Sequence, residues 1–99
     1  MQTDELIKLV MDWGDRHGLN DPKAQLNKVI EEVGEMAHEV TRNNYRSAAM
    51  RDAIGDTLVT VIILAHIVGF DPVFSLLDAY QEIREREGKT ENGTFIKAE

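Results

Sequence analysis

The residues best suited to chemistry are a run of carboxylates, Glu31-Glu32-Val33-Gly34-Glu35, with Glu39 one turn further on. Read as a helix, Glu32 and Glu35 lie one turn apart on one face, and Glu31 and Glu35 are also neighbours. Like charges at these spacings destabilise a bare helix by about 0.2–0.5 kcal/mol per pair. Most such runs are simply solvated helix faces, but a divalent cation would turn the repulsion into ligation. A second acidic pair, Asp52 and Asp56, precedes the apolar stretch that begins at Leu58. Mg²⁺ takes oxygen ligands, keeps several waters and is commonly held by a few carboxylates plus substrate phosphates. Two antiparallel helices carrying these acids offer such a site, with Mn²⁺ as the alternative ion. Gly34 and Gly55 stand beside the acids, where glycine costs a helix about 0.5–1 kcal/mol relative to alanine.

Four helical segments must position these groups. The first opens at Thr3, a good N-cap, and carries Leu6, Ile7, Val10 and Trp13 at helical spacing until Gly18 to Asp21 breaks it. Asp21-Pro22 and Asp71-Pro72 are cap-plus-proline starts for the second and fourth segments. The second runs from about Pro22 to Arg42 with an apolar stripe of Leu26, Ile30, Val33, Ala37 and Val40, and ends at Asn43-Asn44. The third runs from about Arg46 to Val68; its second half is apolar nearly all round and is expected to be buried on most sides. The fourth reaches about Glu87, and residues 88–99 form a polar tail in which Asn92-Gly93, Phe95 and Ile96 suggest some structure. Short connections imply antiparallel neighbours, hence an all-α, four-helix antiparallel bundle, completed by oligomerisation. The alternative is a helical hairpin that becomes a bundle only by dimerising.

Composition narrows the function. Ninety-nine residues make one domain with a thin core. With 11 basic and 18 acidic residues the net charge is −7, which disfavours a nucleic-acid polymer bound through its backbone. The absence of cysteine excludes thiolate nucleophiles, disulfides and Cys-ligated zinc. No basic leader precedes an apolar segment, and no apolar run reaches the ~20 residues of a membrane span. A cytoplasmic protein without a membrane partner is therefore expected.

The order Glu31-Glu32-x-x-Glu35, then Ile54-Gly55-Asp56 running into Leu58-Val59, resembles the MazG-like nucleoside triphosphate pyrophosphohydrolases, an all-α superfamily that includes dimeric dUTPases. The resemblance extends over nearly the whole chain, including the tail from Gly88 to Lys97. It implies Mg²⁺ bound by an E-x-x-E pair and an E-x-x-D pair. By position, Glu32 and Glu35 match the first ligands and Asp56 the final aspartate, while Glu31 matches the leading glutamate. Ala53 stands where the remaining glutamate belongs and cannot ligate; Asp52, one residue earlier, is the candidate substitute. The implied reaction is hydrolysis of an NTP or dNTP to monophosphate and pyrophosphate, by attack of a metal-activated water on the α-phosphorus. Glu35 or Glu31 is the candidate acceptor of the water's proton. The implied assembly is a homodimer or homotetramer acting on a small-molecule nucleotide.

The remaining polar residues each have a plainer reading. Lys28 meets a phosphate or pairs with Glu32 one turn away. Asn27 reads a base or sugar edge, or is only solvated. Lys89 and Lys97, with Arg84, Arg86 and Asn92, close over a triphosphate from the C-terminal end, or form a solvated tail. Trp13 stacks on a base, although its stripe position favours core packing, and His66 is expected as a satisfied core histidine. Glu35-Met36-Ala37-His38 is an E-x-x-H motif, but a di-iron bundle needs two of them and the chain has one. The competing function is the same fold without turnover, as a nucleotide- or metal-binding module or an oligomeric interaction module, favoured by Ala53.

Overall fold

In the computed structural model, which describes residues 1–99, aspartate and serine side chains start three of the four helices. The helices are α1 (Thr3–Arg16), α2 (Pro22–Thr41), α3 (Ala48–Ile67) and α4 (Pro72–Arg84). The Asp21 carboxylate accepts from the Lys23 amide at 2.9 Å and opens α2; Asp71 accepts from Val73 at 2.8 Å and opens α4. Ser47 accepts from the Met50 amide at 3.0 Å, so α3 begins just after it rather than at Arg46. Thr3 does not cap α1. Gln2 holds the N-cap position without a side-chain bond, because its carbonyl already accepts from the Leu6 amide and draws Thr3 into the helix.

α2 and α3 run antiparallel side by side. Gln25 Nε2 donates to the Thr60 carbonyl at 3.1 Å near one end, and Ser47 Oγ donates to Glu39 Oε1 at 2.8 Å near the other. α1 crosses α3 where Gly14 meets Ile63: a Cβ at Gly14 would approach the Ile63 side chain to 3.3 Å. Gly69, with φ of +87°, ends α3, and α4 leaves it at 104°. No single helix is long and apolar enough to cross a membrane.

The tail is not merely polar. It folds into an antiparallel hairpin, β1 (Gly88–Glu91) and β2 (Thr94–Lys97), with Gly88 opposite Lys97 and Glu91 opposite Thr94. Asn92 and Gly93 take φ of +50° and +79°, the positive values that a tight two-residue hairpin turn requires at both positions. The chain is thus helical with one small sheet.

The interior differs from the expected one. Ala53 and Ile63, each 2% exposed, are the apolar side chains fully inside. The other buried side chains are Gln25, Glu32, Glu39 and Thr60. On α2 the row facing α3 is Gln25, Glu32 and Glu39, while Leu26, Ile30, Val33 and Val40 face outward. The second half of α3 is not buried on most sides either, since Leu58 is 60% exposed and Val61 and Val68 are about half exposed. Within one chain α3 has only α2 and α1 lengthwise against it, and two neighbours cannot cover a helix that is apolar all round.

Candidate metal and phosphate site

Helix periodicity brings Glu31, Glu32 and Glu35 together, with one carboxylate oxygen from each lying within 4.8 Å of the others. Glu32 is the inward member at 7% exposure, and its Oε2 is buried without a hydrogen-bond partner. Its Oε1 lies 4.0 Å from Lys28 Nζ, which sits closer, at 3.3 Å, to Glu31. Lys28 therefore pairs first with Glu31, three residues on, and only loosely with Glu32. The hydrogen bond and charge of Glu31 raise the Lys28 pKa. Burial pushes the Glu32 carboxyl up, and the neighbouring charges of Glu35 and Asp56 push it further. A buried acid with a free oxygen beside two more carboxylates is costly in isolation and is relieved by a cation.

The cluster separates two cavities. One, of about 440 Å³, is lined by Glu31, Gly34, Glu35, His38, Glu39 and Ala49. The other, of about 520 Å³, has Lys28, Glu32 and Asp56 at its polar side and Trp13, Val59 and Ile63 at its apolar side. Asp56, on α3, thus shares a cavity with Glu32, and its charge is felt there, but it stands outside the three-glutamate cluster. Asp52 is exposed and lines neither cavity. Ala53 is buried in the helix interface, where the resemblance expects a glutamate.

Asn27 is exposed and lines neither cavity. Lys89, Asn92 and Lys97 lie on the hairpin beyond α4, also outside both cavities. There Lys89 Nζ pairs with Glu91 at 2.8 Å and Asn92 forms the turn. Trp13 is not core: it is 44% exposed, rests against the His17 ring at 4.3 Å between centroids, and walls the larger cavity. The reason is that α1 crosses α3 at Gly14 and leaves the preceding residue at the cavity edge. His66 is satisfied but not buried, its Nε2 lying 2.9 Å from the Asp15 carboxylate. His38 accepts from Arg42 at 2.7 Å. Gln25 was missed from the sequence. Its signal was its place seven residues before Glu32, on the same helix face.

The family model for the MazG nucleotide pyrophosphohydrolase domain matches residues 20–89. The chain belongs to the MazG nucleotide pyrophosphohydrolase family. No curated protein and no solved structure matches it. The MazG segment takes in α2, α3 and α4, and with them Glu31, Glu32, Glu35 and Asp56. Trp13 lies on α1, before that segment, although it walls the same cavity as Glu32 and Asp56.

Proposed function

We propose that this MazG protein hydrolyses nucleoside triphosphates, ribo- or deoxyribo-, to monophosphate and pyrophosphate with Mg²⁺, Mn²⁺ being the alternative ion. The observation that carries the reading is the buried, unpartnered Glu32 oxygen within the three-glutamate cluster. An all-carboxylate donor set suits a hard cation with water in its remaining positions. Glu32, Glu35 and Asp56 would hold the ion, and Asp52 would need to turn toward the site to join them. When bound, it neutralises phosphate charge and lowers the pKa of a coordinated water.

The chain's own residues do the rest. Lys28, at the mouth of the larger cavity, offers an ammonium to a phosphate oxygen once it releases Glu31. Glu31 or Glu35, both facing the smaller cavity, takes the proton of the attacking water. The water oxygen bonds to the α-phosphorus as the bond to the bridging oxygen breaks, and pyrophosphate departs. The Trp13 wall gives the base an apolar face to lie against.

The test is release of monophosphate and pyrophosphate from a panel of NTPs and dNTPs, with Mg²⁺ and with EDTA. Metal-dependent release of both products, lost in Glu32→Ala/Glu35→Ala, is expected. Folded protein without turnover on any nucleotide would sink the proposal. Ala53 supports a second reading, a nucleotide or metal binder without turnover, because its methyl group fills a ligand position with no oxygen.

A further inference from the structure

We propose that Gln25 reads the nucleotide's base through its carboxamide oxygen and selects bases that carry an amino group at the edge farthest from the sugar. This rests on the reading that a nucleoside triphosphate occupies the cavity of about 520 Å³ beside Glu32 and Asp56. Gln25 lines that cavity, yet it is only 6% exposed. Its amide is held in the interior and is not a solvated surface group.

Gln25, Lys28 and Glu32 follow one another in steps of three and four along one face of α2, and all three line the cavity. At 1.5 Å per residue, Gln25 stands about 10 Å along the helix axis from Glu32. α3 runs the other way and repeats the gradient, with Asp56 at the acidic end and Thr60 at the end where its carbonyl meets Gln25. The cavity is thus charged at one end and neutral but polar at the other, with Trp13 in its apolar wall. That length matches a nucleotide measured from its α-phosphorus to the far edge of its base. With the α-phosphate at the acidic end and the ring against Trp13, the edge that arrives at Gln25 is C4 of a pyrimidine or C6 of a purine.

Hydrogens at the neutral end are largely spent on α3 itself. Gln25 Nε2 donates to the Thr60 carbonyl at 3.1 Å, and Thr60 Oγ1 donates to the Thr57 carbonyl at 2.8 Å. Turning the carboxamide over would set its oxygen against the Thr60 oxygen, so that carbonyl fixes which end of the amide it faces. Gln25 Oε1 accepts no hydrogen bond from the chain. Nor is it sealed from solvent, since Glu32 Oε2 is the sealed side-chain atom without a partner. What the neutral end offers a ligand is chiefly acceptor oxygen, from Gln25 and from the lone pairs of the Thr60 hydroxyl. Such oxygens attract the amino group that cytosine and adenine carry at this edge. They repel the carbonyl oxygen that uracil, thymine, guanine and hypoxanthine carry in the same place, and a base carbonyl buried there gives up its water without compensation.

The test compares nucleotides that differ only at that edge, CTP against UTP and ATP against inosine triphosphate, by kcat/KM for pyrophosphate release with Mg²⁺. The wild type is expected to favour the amino member of each pair by about 10-fold or more. N4,N4-dimethyl-CTP has no N–H to give at that edge and is expected to fall to the level of UTP. Gln25→Met keeps the length of the side chain without the oxygen and is expected to bring both ratios close to one. Should that variant unfold, the wild-type series with dimethyl-CTP decides by itself. Turnover without an amino preference overturns the proposal, and so does a preference that Gln25→Met retains. No turnover on any nucleotide would sink the proposed hydrolysis, and Trp13 emission titrated with CTP and with UTP in Mg²⁺ would then decide the base reading. CTP binding tighter by the same factor supports it; equal binding, or none, overturns it.

Discussion

Replacing Ala53 with glutamate asks whether the acid cluster is one ligand short. Ala53 is 2% exposed on the face of α3 that meets α2, and the carboxyl of Glu32 is buried in the same interface. A glutamate there brings a second ionised group into a space that already holds one unpartnered oxygen. Without metal, burying a carboxylate costs several kcal/mol even after relaxation. The glutamate chain is long enough to push its head partway toward a cavity, so about 2–4 kcal/mol is the expected loss. For a domain of this size each kcal/mol moves Tm by about 4–8 °C, which gives a fall of roughly 10–30 °C in EDTA.

Mg²⁺ reverses the sign of the effect. A ligand that binds only the native state adds about 2.7 kcal/mol at a hundred times its Kd. A fourth carboxylate tightens binding, so the rise in Tm between EDTA and saturating MgCl₂ is larger for Ala53→Glu than for the wild type. Calorimetry of both proteins at one concentration measures the two increments, and pyrophosphate release is expected to rise with the larger one. Equal melting in EDTA would show that position 53 does not press a charge against the cluster. Equal Mg²⁺ increments would show that a carboxylate there does not join it.

Other expectations follow from the same geometry. Glu32→Gln removes a carboxylate whose pKa is raised by burial and by Glu35 and Asp56. Since the native state then holds its proton more tightly than the unfolded one, wild-type stability falls as pH rises from the ordinary glutamate value of about 4.3 through the raised one. Metal-free Glu32→Gln is accordingly more stable than wild type at neutral pH, with the gap closing below pH ~4, while its Mg²⁺ increment and its turnover vanish; paired melts across pH check the sign. Ile63→Ala empties the one large side chain fully inside, against Gly14, and is expected to cost about 2–4 kcal/mol in urea unfolding. Trp13 is the single tryptophan, so its emission is expected to change when a nucleotide and Mg²⁺ are added together; unchanged emission at saturation would take the base away from that wall.

Much of this molecule can be read from local chemistry. The Asp-Pro starts and the Gly69 stop fall where they do because a cap or a positive φ is decided within a few residues. The three glutamates meet because residues three and four apart on a helix cannot avoid each other. Ser47 was harder, since Arg46 and Ala48 are equally acceptable next to a helix start and only the bond to the Met50 amide decides between them. The tail held its own signal in Asn92-Gly93, but strands of four residues are too short for alternation to stand out.

What periodicity does not carry is the direction a face looks. It sorts α2 into an apolar stripe and a polar row, and the usual rule turns the stripe inward, which would leave the acids as a solvated face. The structure has α2 rotated away from that setting, with Gln25, Glu32 and Glu39 against α3. The decisive contacts are long-range: Gln25 on the Thr60 carbonyl and Glu39 on Ser47. Neither can be inferred before the helix register is known. A buried row of this kind is expensive unless the polar atoms it seals from solvent are matched, and all but the Glu32 oxygen are. The same rotation that exposes the apolar stripe therefore places one unsatisfied carboxylate beside two more, so the thin core and the acid cluster have a single structural cause.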